Sequence, residues 1–292
     1  MTLDLAVCIV NWNTRDALAA CLESLDRTRG ELRLQVICVD NASRDGSAAM
    51  VRARFPEVEL LANATNRYYA AANNQALAQA AAPQVLLLNP DIIVHEGALQ
   101  ELLAALGRHP QAGAVAPQLR NLDGSVQRSC RSFPDPEAVL WEALGLSRLF
   151  PGSRRFGKYR MTWWAHGDER TVDQPMASAL LLRRAALEAV GLFDEQFPMF
   201  CNDVDLCRRL WEAGWQVWFA PEAKMTHHHG AGTRQVRRAM IAASHDSLLR
   251  YYEKHYRGRV SLPAYWGVHM LLQVGRWWRL SHTPPDGPEE AP

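Results

Sequence analysis

Apolar residues fill positions 3–10 and stop at Asn11-Trp12-Asn13, which predicts a buried strand ending in a turn. Leu18, Cys21 or Leu22, and Leu25 then recur on one helical face, with Asn13 placed to cap the helix and Asp16 three residues on. Positions 34–39 predict a second strand. It runs into Asp40-Asn41-Ala42-Ser43-Arg44-Asp45-Gly46-Ser47, a loop of turn and capping residues from which another helix starts near Ser47. Residues 58–61 read as a third strand, 70–81 as a helix, and 85–88 as a continuous apolar strand covered on both faces, ending in Asn89-Pro90-Asp91.

This alternation predicts an open parallel sheet wound by helices. Ligands in such sheets bind beyond the carboxyl ends of the strands. Those ends carry Asn11 to Asn13, Asp40 and Asn41, residues 63–67, and Asn89 to Asp91, so amides and carboxylates collect on one rim. Past residue 110 the pattern changes. Asp123-Gly124 between short alternating runs signals a hairpin within 119–128, and the proline- and arginine-rich stretch 131–160 reads as a long loop. Residues 179–183 predict a buried strand, 184–190 a short helix, 203–213 a longer helix and 216–219 another strand.

Composition narrows the partners. Thirty-two Lys and Arg balance 31 Asp and Glu, which argues against a nucleic-acid-binding domain, and 48% hydrophobic residues exclude wholesale disorder. Six cysteines without a CxxC pair suit a reducing compartment. The amino terminus lacks a basic, apolar export signal, and no run of about 18 apolar residues suggests a membrane span. A cytoplasmic protein is expected. Residues 234–280 carry nine Lys or Arg against Asp246 and Glu253, with Trp266, Trp277 and Trp278 interspersed, a mixture that suits peripheral contact with the anionic inner face of the cytoplasmic membrane. The same segment also reads as an amphipathic cap with Val236, Met240, Ala243 and Leu248 facing inward. The organisation expected is a main α/β domain over 1–233, a basic and aromatic helical extension over 234–282, and a disordered, Pro-rich acidic tail over 283–292.

Four motifs in order carry a resemblance: Ile9-Val10-Asn11-Trp12-Asn13, the Val39 to Ser47 loop, Leu88-Asn89-Pro90-Asp91, and Asp203-Val204-Asp205-Leu206-Cys207-Arg208-Arg209. Over about residues 3–233 the chain resembles the family 2 glycosyltransferases, and most closely their rhamnosyltransferase-like branch. The resemblance implies a GT-A fold, an α/β architecture with a mixed, mainly parallel sheet flanked by helices. It also implies inverting transfer of rhamnose or a related hexose from a nucleotide-diphosphate sugar of the dTDP or UDP type. The acceptor would be a hydroxyl of a glycan or lipid-linked molecule in bacterial cell-envelope polysaccharide synthesis.

Asn11, Asn13, Asp40, Asn66, Asn73, Asn89 and Asp91 then stand at donor-binding positions. Asp40 can accept the imide N–H that uracil and thymine offer and adenine and cytosine do not. Asn89-Pro90-Asp91 stands where the family commonly has Asp-x-Asp, which holds Mg²⁺ or Mn²⁺ against the diphosphate. Asp91 fits as a hard oxygen ligand, while the neutral Asn89 amide would bind weakly or from further out. From His227-His228-His229, His227 is the expected further ligand and His228 the second choice. Asp203 matches the family's base in Glu-Asp-x-Asp, taking the acceptor hydroxyl proton. Asp205, Ser178 and Arg208 are expected on the acceptor side or in structural roles.

Asn89, Asn202 in place of Glu, Tyr68-Tyr69 in place of Gly-Phe, and Ser178 in place of Gly depart from the family pattern. Together they motivate an alternative, a catalytically silent nucleotide-sugar- or carbohydrate-binding protein on the same fold. A sugar nucleotidyltransferase or a dinucleotide oxidoreductase would need a glycine-rich phosphate loop after the first strand, and Asn11-Trp12-Asn13-Thr14 is not one.

Overall fold

A computed structural model describes residues 3–228 and 237–284. The first half runs β1 (Leu5–Asn11), α1 (Arg15–Thr28), β2 (Leu34–Asp40), α2 (Ser47–Arg54), β3 (Glu59–Ala62), α3 (Tyr68–Gln79), β4 (Gln84–Leu88), β5 (Ile92–Val94), α4 (Ala98–Arg108) and β6 (Ala112–Arg120). There follow β7 (Cys130–Arg131), α5 (Pro136–Ala143), α6 (Leu146–Leu149), β8 (Arg170–Thr171), β9 (Gln174–Pro175), β10 (Ala179–Arg183), α7 (Arg184–Val190), α8 (Asn202–Glu212), β11 (Gln216–His227), α9 (Arg237–Tyr256) and α10 (Leu262–Ser281).

The main sheet has the order β3-β2-β1-β4-β10-β6-β11-β5, with β8 pairing on β11. Strands β3, β2, β1 and β4 are parallel, β10 runs against both β4 and β6, and β11 is parallel to β6. Alternation along each strand builds two cores, because successive side chains leave opposite faces. Leu5, Val7 and Ile9 of β1 join Leu86 and Leu88 of β4 beneath α1 and α4. Ala6 and Cys8 join Val85 and Leu87 beneath α3, α7 and α8. A third, smaller cluster brings Val204 of α8 together with Tyr251, Tyr252 and Tyr256 of α9 and Val268 and Leu272 of α10.

Several expectations need correction. Asn13 does not cap α1: it adopts a left-handed φ of 52°, Thr14 takes the cap position, and the Asn13 side chain instead accepts the Arg44 N–H at 2.8 Å. The stretch 131–160 is not one loop but holds α5 and α6. Asp135 caps α5 by accepting the Ala138 N–H at 2.8 Å, and Pro136 fits the first turn, where no N–H is needed. Strand β11 reaches His227, well beyond Phe219, because a register irregularity between Ala220 and Lys224 absorbs Pro221 and lets pairing with β6 resume. In α9 the buried positions are Ile241, His245, Ser247, Tyr251, Tyr252, His255 and Tyr256, whereas Met240, Ala243 and Leu248 are only half-buried. Aromatic bulk set that face. Val236, the boundary at 233/234, His229 and residues 285–292 of the tail lie outside the described residues.

Candidate active site

The carboxyl ends of β1, β2 and β4 meet on one rim. Asn11, fully buried, donates its amide to Asp40 Oδ1 at 3.0 Å and to Ser43 Oγ at 3.1 Å, and its Oδ1 accepts the Thr14 hydroxyl. Asp40 Oδ2 takes the Ser43 N–H at 3.1 Å. The carboxylate is thereby fixed at the strand end, and each oxygen keeps a further lone pair for an incoming N–H. An open cleft of about 410 Å³ lies beside it, lined by Asn13, Thr14, Arg15, Asp16, Ala17 and Asp45. Asp45 already occupies the start of α1, accepting the Arg15 N–H at 2.7 Å, so that helix end is not a vacant phosphate site.

Sequence reasoning passed over Asn41 as a site residue, yet it organises the next loop. Its amide reaches Asn66 Oδ1 at 2.7 Å and the Tyr68 carbonyl, while its oxygen accepts from Asn63 and from the Arg67 N–H. Asn66 also accepts the Tyr68 N–H, which holds Tyr68 at a φ of 60°. The Asn73 amide turns back to the Tyr69 carbonyl within α3. Asn66 and Asn73 are thus committed to shaping α3 and its approach.

At the end of β4, Asp91 is buried and its Oδ1 makes no hydrogen bond, lying 3.4 Å from His227 Nε2. His227 Nδ1 sits 2.7 Å from Gln127 Oε1. An amide oxygen only accepts, so Nδ1 is the donor of this bond and the ring is held with Nε2 turned to the carboxylate. A carboxylate oxygen and an imidazole nitrogen thus share one corner. His228 is exposed. Among the described residues no group of three or more His, Cys, Asp or Glu converges. Mg²⁺ and Mn²⁺ nevertheless need only one or two protein ligands when phosphate and water complete the shell, so Asp91 and His227 fit such an ion. The Asn89 backbone N–H donates to the Ser178 carbonyl at 2.8 Å, and its side chain makes no hydrogen bond among the described residues.

That Ser178 contact links the corner of Asn89 and Asp91 to Asp203. The neighbouring Ala177 N–H donates to Asp203 Oδ2 at 3.3 Å, and Oδ1 takes the Val204 N–H at 2.9 Å. Burial pushes the Asp203 carboxyl above the usual carboxylate range, with the Val204 and Ala177 N–H groups opposing. The Tyr69 hydroxyl donates to the Ala177 carbonyl at 3.0 Å, so one departure from the family pattern braces the segment that holds Asp203. Asn202 does likewise. It accepts the Asp203 N–H at 2.8 Å and donates to the Phe197 carbonyl at 3.3 Å, a pair of roles that an ionised Glu cannot fill.

Asp205 is fully buried away from this rim. It accepts from Arg209 Nε at 2.8 Å, His255 Nε2 at 2.8 Å and Lys254 Nζ at 2.6 Å, which clamps α9 onto the start of α8. Burial alone would raise its carboxyl, but the hydrogen bonds from His255 and Lys254 and the Arg209 charge hold it down to about 2. Arg208 pairs with Glu212 and lies over Phe133, again on the α9 side. The Asp205 and Arg208 side chains are both engaged in contacts that hold α8 against its neighbours. Replacing one partner of a buried ion pair costs about 3–5 kcal/mol, so Asp205→Asn is expected to lower stability by that amount in urea unfolding. Because the folded-state carboxyl lies below its ordinary value, the contribution is present at neutral pH and is lost as pH falls from about 4 toward 2.

The sheet and its flanking helices have the architecture of the GT-A class. The chain belongs to glycosyl transferase family 2, whose family model matches residues 6–165. It is 33% identical over 285 residues to an N-acetylglucosaminyl-diphospho-decaprenol L-rhamnosyltransferase of Mycobacterium tuberculosis, covering 94% of this chain and 92% of that one. Its fold also matches a solved mannosyltransferase from Pyrobaculum calidifontis in complex with GDP-Man and Mn²⁺. That likeness has a TM-score of 0.60 and 17% identity, covering 96% of this chain and 73% of that one. TarS residues 1–349 from S. aureus match with a TM-score of 0.55 and 14% identity, over 95% of this chain and 79% of that one.

Proposed function

We propose that the protein transfers L-rhamnose, or a closely related hexose, from a dTDP- or UDP-linked donor to a hydroxyl of a lipid-linked N-acetylglucosaminyl acceptor, with inversion and with Mg²⁺ or Mn²⁺ bound. The observation that carries this reading is the 33% identity to the mycobacterial rhamnosyltransferase along nearly the full length of both chains. In this reading Asp40, steadied by Asn11, accepts the nucleobase imide N–H. Asp91 and His227 hold the metal ion, which when bound offsets the charge of the diphosphate. Asp203 removes the acceptor hydroxyl proton as that oxygen bonds to the anomeric carbon. The bond from that carbon to the diphosphate breaks, and its electron pair leaves with the diphosphate. Attack from the opposite side inverts the centre.

A half-buried but ionisable carboxyl suits this role, since a base pKa raised toward neutrality is better matched to an alcohol proton. We place the reaction in the cytoplasm, on the inner face of the cytoplasmic membrane. The free thiols of all six cysteines accord with a reducing compartment.

The test supplies dTDP-L-rhamnose, UDP-GlcNAc or GDP-mannose together with a short-chain polyprenyl-diphosphate N-acetylglucosamine and Mg²⁺, and reads the product by NMR. Rhamnosylation with the anomeric configuration inverted relative to the donor is expected. Donor binding without transfer to any acceptor would favour the silent binding reading instead.

A further inference from the structure

We propose that α10, with α5 and α6 beside it, is an in-plane docking face for an anionic lipid bilayer. Leu262, Trp266, Met270, Val274 and Trp278 follow one another at four-residue steps, with Trp277 three residues past Val274, and the six are between 57% and 71% exposed. At 3.6 residues per turn these positions form one stripe along a helix about 30 Å long. The opposite face of the same helix buries Val268 and Leu272 in the cluster that contains Val204. The helix is therefore apolar on both sides, yet only one side has protein against it among the described residues. An exposed apolar stripe of this length marks a surface that another body covers.

The occupant is read from charge and residue type. Helix α10 contains no Asp or Glu, and its only full charges are Arg276 and Arg279 near its end. Arg279 forms no ion pair among the described residues. Residues 237–281 carry eight Lys or Arg against Asp246 and Glu253; Lys254, Arg257, Arg259 and Arg276 pair with carboxylates, and Arg279 keeps its charge beside the apolar stripe, where a second copy would bring the same sign against it. Helix α5 packs against α10 and adds exposed Leu140 and Leu144, and Leu149 and Phe150 follow in and after α6 next to Arg148. Tryptophan and leucine beside arginine match the headgroup boundary of an anionic membrane. No helix among the described residues is long and apolar enough to cross a membrane, so the helix lies in the interface.

The docking face also reaches the reaction centre. Val204, next to Asp203, shares its small core with α10, and the Asp205 clamp ties α9 to the same turn. Bilayer attachment would hold the start of α8 at a set distance from the lipid surface. This last step rests on the lipid-linked acceptor proposed above; the lipid binding itself does not.

The test is co-sedimentation of the full chain with vesicles of phosphatidylcholine alone or with 30% phosphatidylglycerol, in low and high salt. The wild-type protein should sediment with the anionic vesicles at low salt and be released by high salt. Trp266→Glu with Trp277→Glu should lower partitioning at least tenfold, with melting temperature unchanged because both side chains are exposed. Recovery of the wild-type protein in the supernatant with both vesicle types, or undiminished binding by the variant, would overturn the proposal. So would a concentration-dependent dimer in solution that the variant dissociates, since that would make a second copy the occupant. Transfer to a water-soluble acceptor reads the proposed reaction separately. A variant that loses vesicle binding and keeps that activity within twofold places the defect at the lipid surface.

Discussion

Asp203→Asn is expected to lower kcat by about 10²- to 10⁴-fold while leaving donor affinity within about twofold. The amide is nearly isosteric, and its single oxygen can keep the shorter Val204 N–H bond at 2.9 Å while only the longer Ala177 contact at 3.3 Å is given up, so most of the local geometry should survive. What is lost is the ability to take a proton as the acceptor oxygen forms its bond. An interaction made only in the transition state appears in kcat and not in ground-state donor binding. The pH profile supplies a second reading. Since burial raises the Asp203 carboxyl, the acidic limb of kcat should fall at a pH above the ordinary aspartate value of 3.8, and that limb should vanish in the variant's residual rate. Retention of full turnover would remove Asp203 from the mechanism. Asp205 could not replace it, because it is fully buried and held by Arg209, His255 and Lys254.

Asp91→Ala should abolish metal-dependent donor binding, a loss of at least about 100-fold in affinity by calorimetry with dTDP or UDP in the presence of Mn²⁺. Asp91 presents a buried oxygen with no hydrogen bond, the only full negative charge among the described residues at the corner it shares with His227. Removing it leaves the imidazole and phosphate oxygens to hold the ion. Asn89→Asp is the companion change. Its side chain is uncommitted among the described residues, so an added charge should tighten Mn²⁺ binding if position 89 reaches the ion, and unchanged affinity would place it outside the coordination sphere. Undiminished metal-dependent binding by Asp91→Ala would move the ion elsewhere.

The parts of the molecule with a strict period were readable from the chain. Strand β10 and helix α7 fall at their expected bounds, because an unbroken apolar run followed by an Ala-rich turn leaves little choice of period. The rim was legible too, since turn-forming Asn and Asp end β1, β2 and β4 in succession. Partners set by tertiary contact were not. Gln127 lies in a hairpin a hundred residues from His227 and carries no local signal, and Ala177 acts through its backbone N–H. The clamp of His255 and Lys254 on Asp205 was hidden for the same reason. Helix α5 had a readable signal in Asp135-Pro136-Glu137, obscured by the surrounding prolines and arginines. The departures Asn202 and Tyr69 looked like losses in sequence, yet each satisfies a backbone group beside Asp203.

The most direct measurement is a crystal structure with Mn²⁺ and a thymidine or uridine diphosphate, read by anomalous scattering. The account predicts a manganese peak within coordination distance of the Asp91 carboxylate and His227 Nε2, with the base imide on Asp40 and the β-phosphate end of the nucleotide directed toward Asp203. Manganese bound away from Asp91, or a nucleotide whose base does not meet Asp40, would contradict it.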